Sequence, residues 1–188
     1  MLAVRAGDLS RLAPLFERHH RPLFDYLARM TGNRPAAEDL VQEVFVRILK
    51  YRSTFRDTSR FHAWAFGIAR NVRADYFQAR RIRETALDEA PETASGETDA
   101  ADAFEANRQA ARLRRALLLL REDQRELIVL ARYRGMKYEA IAELLGVEAG
   151  TVKTRMHRAV NELRRIFLRL SENQSCSVKQ PENGLLMV

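Results

Sequence analysis

Hydrophobic side chains recur at helical spacing along most of the chain, and polar segments divide this pattern into separate elements. The apolar faces fall within six segments, which are residues 9–30, 36–51, 60–83, 108–120, 122–131 and 138–163. Thr31, Gly32 and Asn33 form a turn signal after the first segment, and residues 53–59 interrupt the pattern after the second. Because runs of alternating β-branched residues are almost absent, the pattern predicts an all-α chain.

Residues 138–163 predict a helix-turn-helix. Ile141, Ala142 and Leu145 lie on one side of a short helix, and Gly146 can adopt the positive φ that ends it. A second helix begins near Ala149. Its apolar stripe consists of Val152, Met156, Ala159, Val160 and Leu163. Small Ala142 allows the two helices to cross closely, as this motif requires.

The opposite face of the second helix carries cations and hydroxyls. Its residues are Lys153, Thr154, His157 and Arg158. Such a face suits insertion into a DNA major groove, where basic side chains read guanine and hydroxyls read either partner. The alternative is the solvated face of an ordinary helical core. The absence of acidic residues between positions 150 and 160 favours DNA.

The segment 36–51 predicts a helix with one broad apolar face and one polar face. The apolar face consists of Leu40, Val41, Val44, Phe45, Ile48 and Leu49. The polar face consists of Glu38, Asp39, Gln42, Glu43 and Arg47. These polar side chains are available to solvent or to a partner, and the pattern by itself requires only hydration.

The segment 60–83 interleaves aromatic and basic side chains on one predicted helix. Trp64, Ile68 and Val72 follow at intervals of four residues, so part of the aromatic set belongs to a core. Two interpretations remain open for the rest. The helix is either a core element with a solvated basic face, or a surface on which bases of single-stranded DNA stack while arginines bind phosphate.

Charge is segregated along the chain, and this changes the picture of the domains. Residues 1–80 carry 14 basic and 8 acidic side chains, residues 81–107 carry 2 and 8, and residues 108–170 carry 15 and 7. Two basic blocks therefore flank an acidic connector, and basic blocks favour phosphate-rich partners. The connector also lacks large apolar groups, so it predicts a flexible linker, and the polar tail 171–188 predicts disorder.

Other features exclude whole classes of protein. The single cysteine, Cys176, excludes a disulfide framework and a multi-cysteine metal site, and it fits a reducing cytoplasm. No apolar stretch approaches the roughly 20 residues of a membrane span, and charged residues among the first 12 positions argue against a signal peptide. We therefore expect a cytoplasmic protein with no membrane insertion.

Three motifs together resemble the extracytoplasmic-function (ECF) sigma factors of bacterial RNA polymerase, a group of the sigma-70 family. They are AEDLVQEVFVRIL at 37–49, FHAWAFGIARNVRADYFQARR at 61–81 and GTVKTRMHRA at 150–159. The resemblance covers residues from about 9 to 170. It implies two small helical domains, with sigma region 2 at 1–82 and sigma region 4, the helix-turn-helix, at 108–170, joined by the flexible acidic linker 83–107.

The resemblance also implies roles for individual residues. Contacts to the clamp helices of the polymerase largest subunit would come from Asp39, Gln42, Glu43 and Arg47. Recognition and opening of the −10 element would use Arg56, Phe61, Trp64, Arg70, Asn71, Arg73 and Arg80. Recognition of the −35 element would use Thr151, Lys153, Thr154, His157 and Arg158, while the same domain contacts the polymerase flap.

The function implied is promoter recognition and transcription initiation as a dissociable polymerase subunit, controlled by an anti-sigma factor. No cofactor, metal or catalytic residue is expected. The alternative is a stand-alone helix-turn-helix regulator, which the N-terminal motifs disfavour. A nucleic-acid enzyme is a third possibility, but the sequence shows no phosphate-binding loop, no paired metal-binding carboxylates near histidine and no nucleophile–base arrangement.

Overall fold

The regular elements of the structure are all helical, which confirms the all-α prediction. The computed structural model describes residues 1–56, 61–87 and 101–177. Its α-helices are α1 (Leu2–Arg5), α2 (Leu12–Thr31), α3 (Arg34–Lys50), α4 (Phe61–Leu87), α5 (Ala101–Leu118), α6 (Glu122–Ile128), α7 (Tyr138–Leu145) and α8 (Ala149–Ser177). Short 3₁₀ turns lie at Leu9–Arg11 and Arg52–Thr54, and a π turn at Val129–Tyr133 continues α6.

The turn between α2 and α3 forms where the sequence predicted it. Gly32 ends α2 with a φ of 71°, a left-handed conformation that glycine adopts without steric penalty. Asn33 then caps α3, because its side chain accepts a hydrogen bond from the backbone N–H of Ala36 at 3.0 Å. Pro35 follows within the first turn, where no intrahelical donor is lost.

Helices α2, α3 and α4 form an N-terminal block around a common apolar core. Each helix contributes one fully buried face. The residues are Leu23, Tyr26, Leu27 and Met30 of α2, Val44 and Ile48 of α3, and Phe66, Ala69 and Val72 of α4. Because the apolar stripe of α4 is buried in this core, only the other faces of α4 can contact a binding partner.

The C-terminal block contains α5 to α8 and confirms the predicted helix-turn-helix. Gly146 ends α7 with a φ of 66°, and α8 starts at Ala149. Val152, Met156 and Ala159 are buried in the same cluster as Ile141 and Ala142. Val160 differs from the prediction, since 39% of its surface remains exposed at the edge of the stripe.

Three boundaries differ from the sequence prediction. Helix α4 extends to Leu87 and α5 starts at Ala101, so helix covers both ends of the predicted linker 83–107. Helix α8 extends to Ser177, so residues 171–177 of the predicted disordered tail are helical. Residues 88–100 of the linker and 178–188 of the tail lie outside the described residues. The composition of these segments did not predict helix, because the ends of a helix need few apolar side chains of their own.

The two blocks pack against each other, an arrangement that the sequence did not predict. Helix α2 contacts α5, α6 and the π turn, while α4 contacts α7. At one contact point a Cβ added to Gly32 would lie only 2.8 Å from the side chain of Leu118. Arg125 donates from its guanidinium to the carbonyls of Met30 at the end of α2 and of Leu118 at the end of α5. Buried residues from both blocks therefore belong to one continuous apolar cluster.

Candidate nucleic-acid and polymerase interfaces

The predicted −35 residues share one accessible face of α8. Lys153, Thr154, His157 and Arg158 are exposed, and Thr151 is half-buried. The hydroxyl of Thr154 donates to the carbonyl of Gly150 at 3.1 Å, which leaves the hydroxyl oxygen as an acceptor facing solvent. The structure therefore brings together all of the residues that the sequence assigned to this helix face.

Arg155 adds a further cation to this face of α8. It is exposed and lies one turn from Arg158. Sequence reasoning did not select it, although its position between two selected residues was a usable signal. Opposite this face, Val152 and Met156 hold the helix in the core, so the cations are presented on a rigid element.

The predicted polymerase-binding residues of α3 divide into two pairs. Asp39 and Gln42 are exposed on the outer face. Glu43 and Arg47 are instead paired with each other, since Arg47 donates to Glu43 at 2.6 Å, and Arg47 also donates to Asp75 of α4 at 2.6 Å. The hydrogen bonds that Arg47 donates to Glu43 and Asp75 raise the pKa of Arg47 above its ordinary value. Arg47 therefore connects two helices as well as lying beside the outer face.

Val46 extends the outer face of α3, and sequence reasoning missed it. Its side chain is 57% exposed although it is apolar. Asp39, Gln42 and Val46 follow at intervals of three and four residues, so they lie on one side of the helix. The available signal was an apolar residue outside the apolar stripe of 36–51. The three side chains form a small mixed surface of the kind that contacts other proteins.

The aromatic residues at the start of α4 form a ring cluster with the segment that follows α3. The rings of Phe55 and Trp64 are 5.3 Å apart between centroids and nearly perpendicular, and Phe61 lies 6.1 Å from Trp64. Phe55 is buried, whereas Phe61 and Trp64 are half-buried. Arg56 is exposed beside this cluster. The rings thus stabilise the segment and still present part of their surface.

Further along α4, the predicted −10 residues have very different surroundings. Asn71 is exposed and Arg80 is half-buried. Arg73 is only 6% exposed. Arg70 donates to Glu126 of α6 at 2.9 Å and to the carbonyl of Leu144 at 3.1 Å. Two of the arginines assigned to DNA phosphate therefore contact the C-terminal block.

Glu126 is the centre of a buried polar cluster between the two blocks. Its Oε1 accepts from Tyr26 Oη at 2.7 Å, from Arg70 Nε at 2.9 Å and from Arg73 Nη1 at 2.8 Å. Arg73 also donates to the Tyr26 oxygen at 2.6 Å and pairs through Nη2 with Glu122 at 2.9 Å. Burial raises the pKa of Tyr26 well above its ordinary value and Glu126 raises it further, so the hydroxyl remains a donor.

Comparison with known protein families explains this combination of helices. Residues 15–83 match the model of Sigma-70 region 2, and residues 110–163 match that of Sigma-70 region 4. The chain is 32% identical over 160 residues to the ECF RNA polymerase sigma factor SigL of Mycobacterium tuberculosis, covering 85% of this chain and 90% of the relative. This chain belongs to the ECF sigma factors. The resemblance drawn from the three sequence motifs is thereby confirmed.

Other relatives of this ECF sigma factor agree with that assignment. The RNA polymerase sigma factor CarQ of Myxococcus xanthus is 32% identical over 167 residues, covering 87% of this chain and 92% of the relative. The sigma factor RpoE of Bartonella quintana, solved with the anti-sigma factor NepR, is similar with a TM-score of 0.69 and 26% identity, covering 82% of this chain and 94% of that chain. CnrH, solved with the cytosolic domain of CnrY, gives a TM-score of 0.63 and 25% identity, covering 87% and 91%.

Membership in this family decides between the functions left open by the sequence. A sigma factor directs RNA polymerase to promoters and initiates transcription, and its domains bind the polymerase and promoter DNA. The match of the N-terminal block to Sigma-70 region 2 disfavours a stand-alone helix-turn-helix regulator, whose N-terminal domain would have a different role.

Within residues 1–56, 61–87 and 101–177, no helix has both the length and the apolar character needed to cross a membrane. The same part of the chain contains no group of three or more histidine, cysteine, aspartate or glutamate side chains arranged to hold a metal ion.

Proposed function

We propose that this ECF sigma factor reads a promoter with two separate helices while it is bound to RNA polymerase in the cytoplasm. Residues 1–82 and 108–170 act as the two reading units, and the acidic segment 83–107 lets their separation match the promoter. The single observation that carries this proposal is the joint exposure of Lys153, Arg155 and Arg158 on a helix whose opposite side is fixed in the core.

The −35 element is read by α8 in the major groove. The arginines contact base edges or phosphates there, and the half-buried Thr151 contacts the backbone. His157 lies beside Asn161 with 3.3 Å between His157 Nδ1 and Asn161 Nδ2, so the two polar side chains extend the face by one turn. The pattern supports sequence reading by this helix and leaves the sequence of the element open.

The −10 element is opened by α4 and the residues that precede it. Exposed Asn71 and the segment 53–61 receive an extruded base of the non-template strand, and Phe61 and Trp64 offer partly exposed rings for stacking. Arg56, Arg70, Arg73 and Arg80 bind phosphates. Capture of the flipped base offsets an unpairing cost of a few kcal/mol, so opening requires no catalytic group in this chain.

The polymerase is bound through the outer face of α3 and through the C-terminal block. Asp39, Gln42 and Val46 contact the clamp helices of the largest subunit, with Glu43 and Arg47 at the margin, while the C-terminal block contacts the flap. The exposure of an apolar valine between polar residues supports a protein-binding role for this face.

An anti-sigma factor holds the protein inactive until the inducing signal arrives. The support is the similarity to RpoE, solved with the anti-sigma factor NepR, and to CnrH, solved with the cytosolic domain of CnrY. The occupied surface includes the polymerase-binding face of α3, because blocking it prevents entry into the holoenzyme.

The test is in vitro transcription with purified core polymerase on a library of genomic fragments. We expect discrete transcripts that require the chain, and we expect Asp39→Arg to reduce core binding by at least tenfold because it reverses a charge on the outer face of α3. Glu17→Arg, a charge reversal at an exposed position of α2, is the matched control and leaves core binding unchanged. Absence of both core binding and transcripts in the unaltered chain would overturn the proposed function.

A further inference from the structure

An apolar groove of about 530 Å³ lies between α5 and α8 on the surface of the C-terminal block. We propose that this groove binds residues 185–188 of the same chain, so that the tail turns back along α8 and covers the apolar surface between the two helices. The inference goes beyond promoter reading, because it assigns a role to a part of the tail 171–188 that the proposed function does not use.

The groove is mostly apolar and is built by both helices. Its apolar side chains are Ala110 and Leu113 of α5 and Val160, Leu163 and Phe167 of α8, and its polar members are Gln109 and Arg164. Leu113 is 37% exposed and Val160 is 39% exposed. The sequence assigned Val160 to the core stripe of α8, and its exposure shows that this stripe continues from the core onto the surface. Apolar surface shared by two helices is typical of a groove that binds a peptide segment.

The contacts beside the groove hold its two helices together. Arg112 of α5 lies over the ring of Phe167, at 5.7 Å from the ring centroid, and donates to the hydroxyl oxygen of Ser171 at 3.3 Å. Ser171 in turn donates to the carbonyl of Phe167 at 3.0 Å. These contacts form the groove before any segment binds, so binding does not require the two helices to be reordered.

The tail contains one segment whose chemistry matches the groove. Side chains in residues 171–184 are mostly polar, whereas residues 185–188 form an uninterrupted apolar run of Leu185, Leu186, Met187 and Val188. Such a run is unfavourable in water unless a partner covers it. Pro181 disfavours a continued helix, and Asn183 with Gly184 is a turn signal. The sequence therefore favours a change of chain direction just before the apolar run.

The chain between α8 and the apolar run is long enough to reach the groove. Helix α8 ends at Ser177, and Phe167 lies about 15 Å before that end, at about 1.5 Å per residue. Residues 178–184 span up to about 23 Å when extended. Residues 185–188 then cover about 13 Å, which is similar to the distance of about 10 Å along α8 from Phe167 to Val160. The run and the groove therefore match in position and in length.

Charge and linkage favour the chain's own tail over a separate molecule. Glu182 lies three residues before the apolar run, and the groove offers it the exposed cation Arg164. A surface ion pair contributes little, so this pair orients the tail while the apolar run supplies the affinity. A short linker also gives the tail an effective concentration of the order of millimolar at the groove, which a free partner does not reach.

Disulfide trapping in the full chain tests the proposal. In a Cys176→Ser background, Met187→Cys is combined with Ala110→Cys, an exposed position in the groove. The matched control is Ala111→Cys, which is also exposed and lies about 100° further around α5, away from the groove. At low protein concentration, we expect intramolecular trapping at position 110 to be at least about tenfold faster than at position 111.

Substitutions in the tail supply a second measurement. Leu186→Asp places a charge in the apolar run, and Gln180→Asp adds the same charge outside it. Leu186→Asp should reduce the trapping rate at position 110 to the rate at position 111, because the groove offers little compensation for a buried carboxylate. Gln180→Asp should leave the rate within about twofold, since a surface charge has a small effect. Circular dichroism checks that each variant keeps its helices.

Binding of an apolar dye reports the same event without engineered cysteines. The fluorescence of 8-anilinonaphthalene-1-sulfonate should rise about threefold in Leu186→Asp, because the groove is then uncovered. It should not rise in Gln180→Asp. Equal dye fluorescence in these two variants would overturn the inference.

The trapping experiment also distinguishes the other possible occupants of the groove. Equal trapping rates at positions 110 and 111 overturn the inference. A disulfide-linked dimer as the main product of Ala110→Cys assigns the groove to a second copy of the chain and overturns it as well. Slow trapping, together with protection of the Ala110→Cys thiol from alkylation by core polymerase, assigns the groove to the polymerase instead. None of these results removes core binding or transcription by the unaltered chain, so the proposed function depends on its own test.

Discussion

Helices α4 and α8 carry similar basic side chains, but the structure presents them in opposite ways. On α8 the cations lie in solvent, with Arg155 and Arg158 ready to meet DNA. On α4 the two arginines Arg70 and Arg73 are held by Glu126, and the second of them is buried. A run of basic residues on a helix therefore indicates what the helix can bind and does not show whether the surface is available.

The difference arises from the number of sides on which each helix is packed. Helix α8 contacts α5, α6 and α7 through its apolar side, and Lys153, Arg155 and Arg158 on its other side are exposed. Helix α4 contacts α2 and α3 on one side and α7 on another. The second contact brings α6 close enough for its carboxylates to reach the guanidinium groups, as in many interfaces between domains.

The largest expected difference between the arginines of α4 and α8 is in their effect on the free energy of unfolding. Arg73→Ala removes a cation from the buried cluster and leaves Glu126 with less compensation, so we expect the free energy of unfolding to fall by about 3 kcal/mol. Arg158→Ala removes an exposed cation of α8 and should change it by less than about 0.5 kcal/mol. Urea denaturation followed by circular dichroism measures both. Equal losses in the two variants would show that the arginine environments do not differ as described.

A somewhat smaller effect is expected on promoter binding by the holoenzyme. Arg158→Ala should weaken binding to duplex DNA containing the −35 element by about 1–3 kcal/mol, while core binding is retained. The control is Arg169→Ala, which removes an exposed arginine from the same helix three turns further on. Fluorescence anisotropy at several salt concentrations gives the affinity and the salt slope. Comparable losses in both variants would argue for a diffuse charge effect rather than a reading helix.

The smallest expected effect is on the way in which the free energy of unfolding depends on pH. His62 of α4 lies against Phe66 with ring centroids 4.5 Å apart. Burial lowers the pKa of His62 below its ordinary 6.5, and the positive charge of Arg134 lowers it further. The folded state then binds its proton less readily than the unfolded chain does. The contribution of His62 to the free energy of unfolding is therefore fully present above pH 6.5, and it is lost as the pH falls from there through the lowered pKa of His62.

Urea midpoints at pH 7.5 and pH 5 measure this dependence. His62→Gln should reduce the decrease. His19 also has its pKa lowered by burial and by His62, so a part of the pH dependence should persist in His62→Gln. A pH dependence that His62→Gln leaves entirely intact would contradict the assignment.

Much of the fold was predictable because its signals are local. The turn at Gly32 and Asn33 and the helix-turn-helix with Gly146 formed where the residues indicated, since φ and capping depend on neighbours in the chain. The α8 face was also predicted, because period and charge alone define it. Val46 and Arg155 were missed although both were visible as departures from the pattern.

The contacts of the predicted α4 and α3 residues were not predictable in the same way. The pairing of Arg47 with Asp75 joins positions 28 apart, and that of Arg73 with Glu126 joins positions 53 apart. No rule of local sequence spacing relates either arginine to its acidic partner. Composition was likewise a poor guide to the ends of α4, α5 and α8, which extend into segments assigned to the linker and the tail.

The sequence by itself determined the helices, their apolar faces, the two basic blocks and the sigma-factor family, since each depends on residue type and short-range spacing. Only the tertiary structure decided that the blocks pack together and that Glu126 takes the arginines of α4. The physical reason is that the availability of a charged side chain depends on the group placed opposite it, and here that group, Glu126, lies 53 positions further along the chain than Arg73.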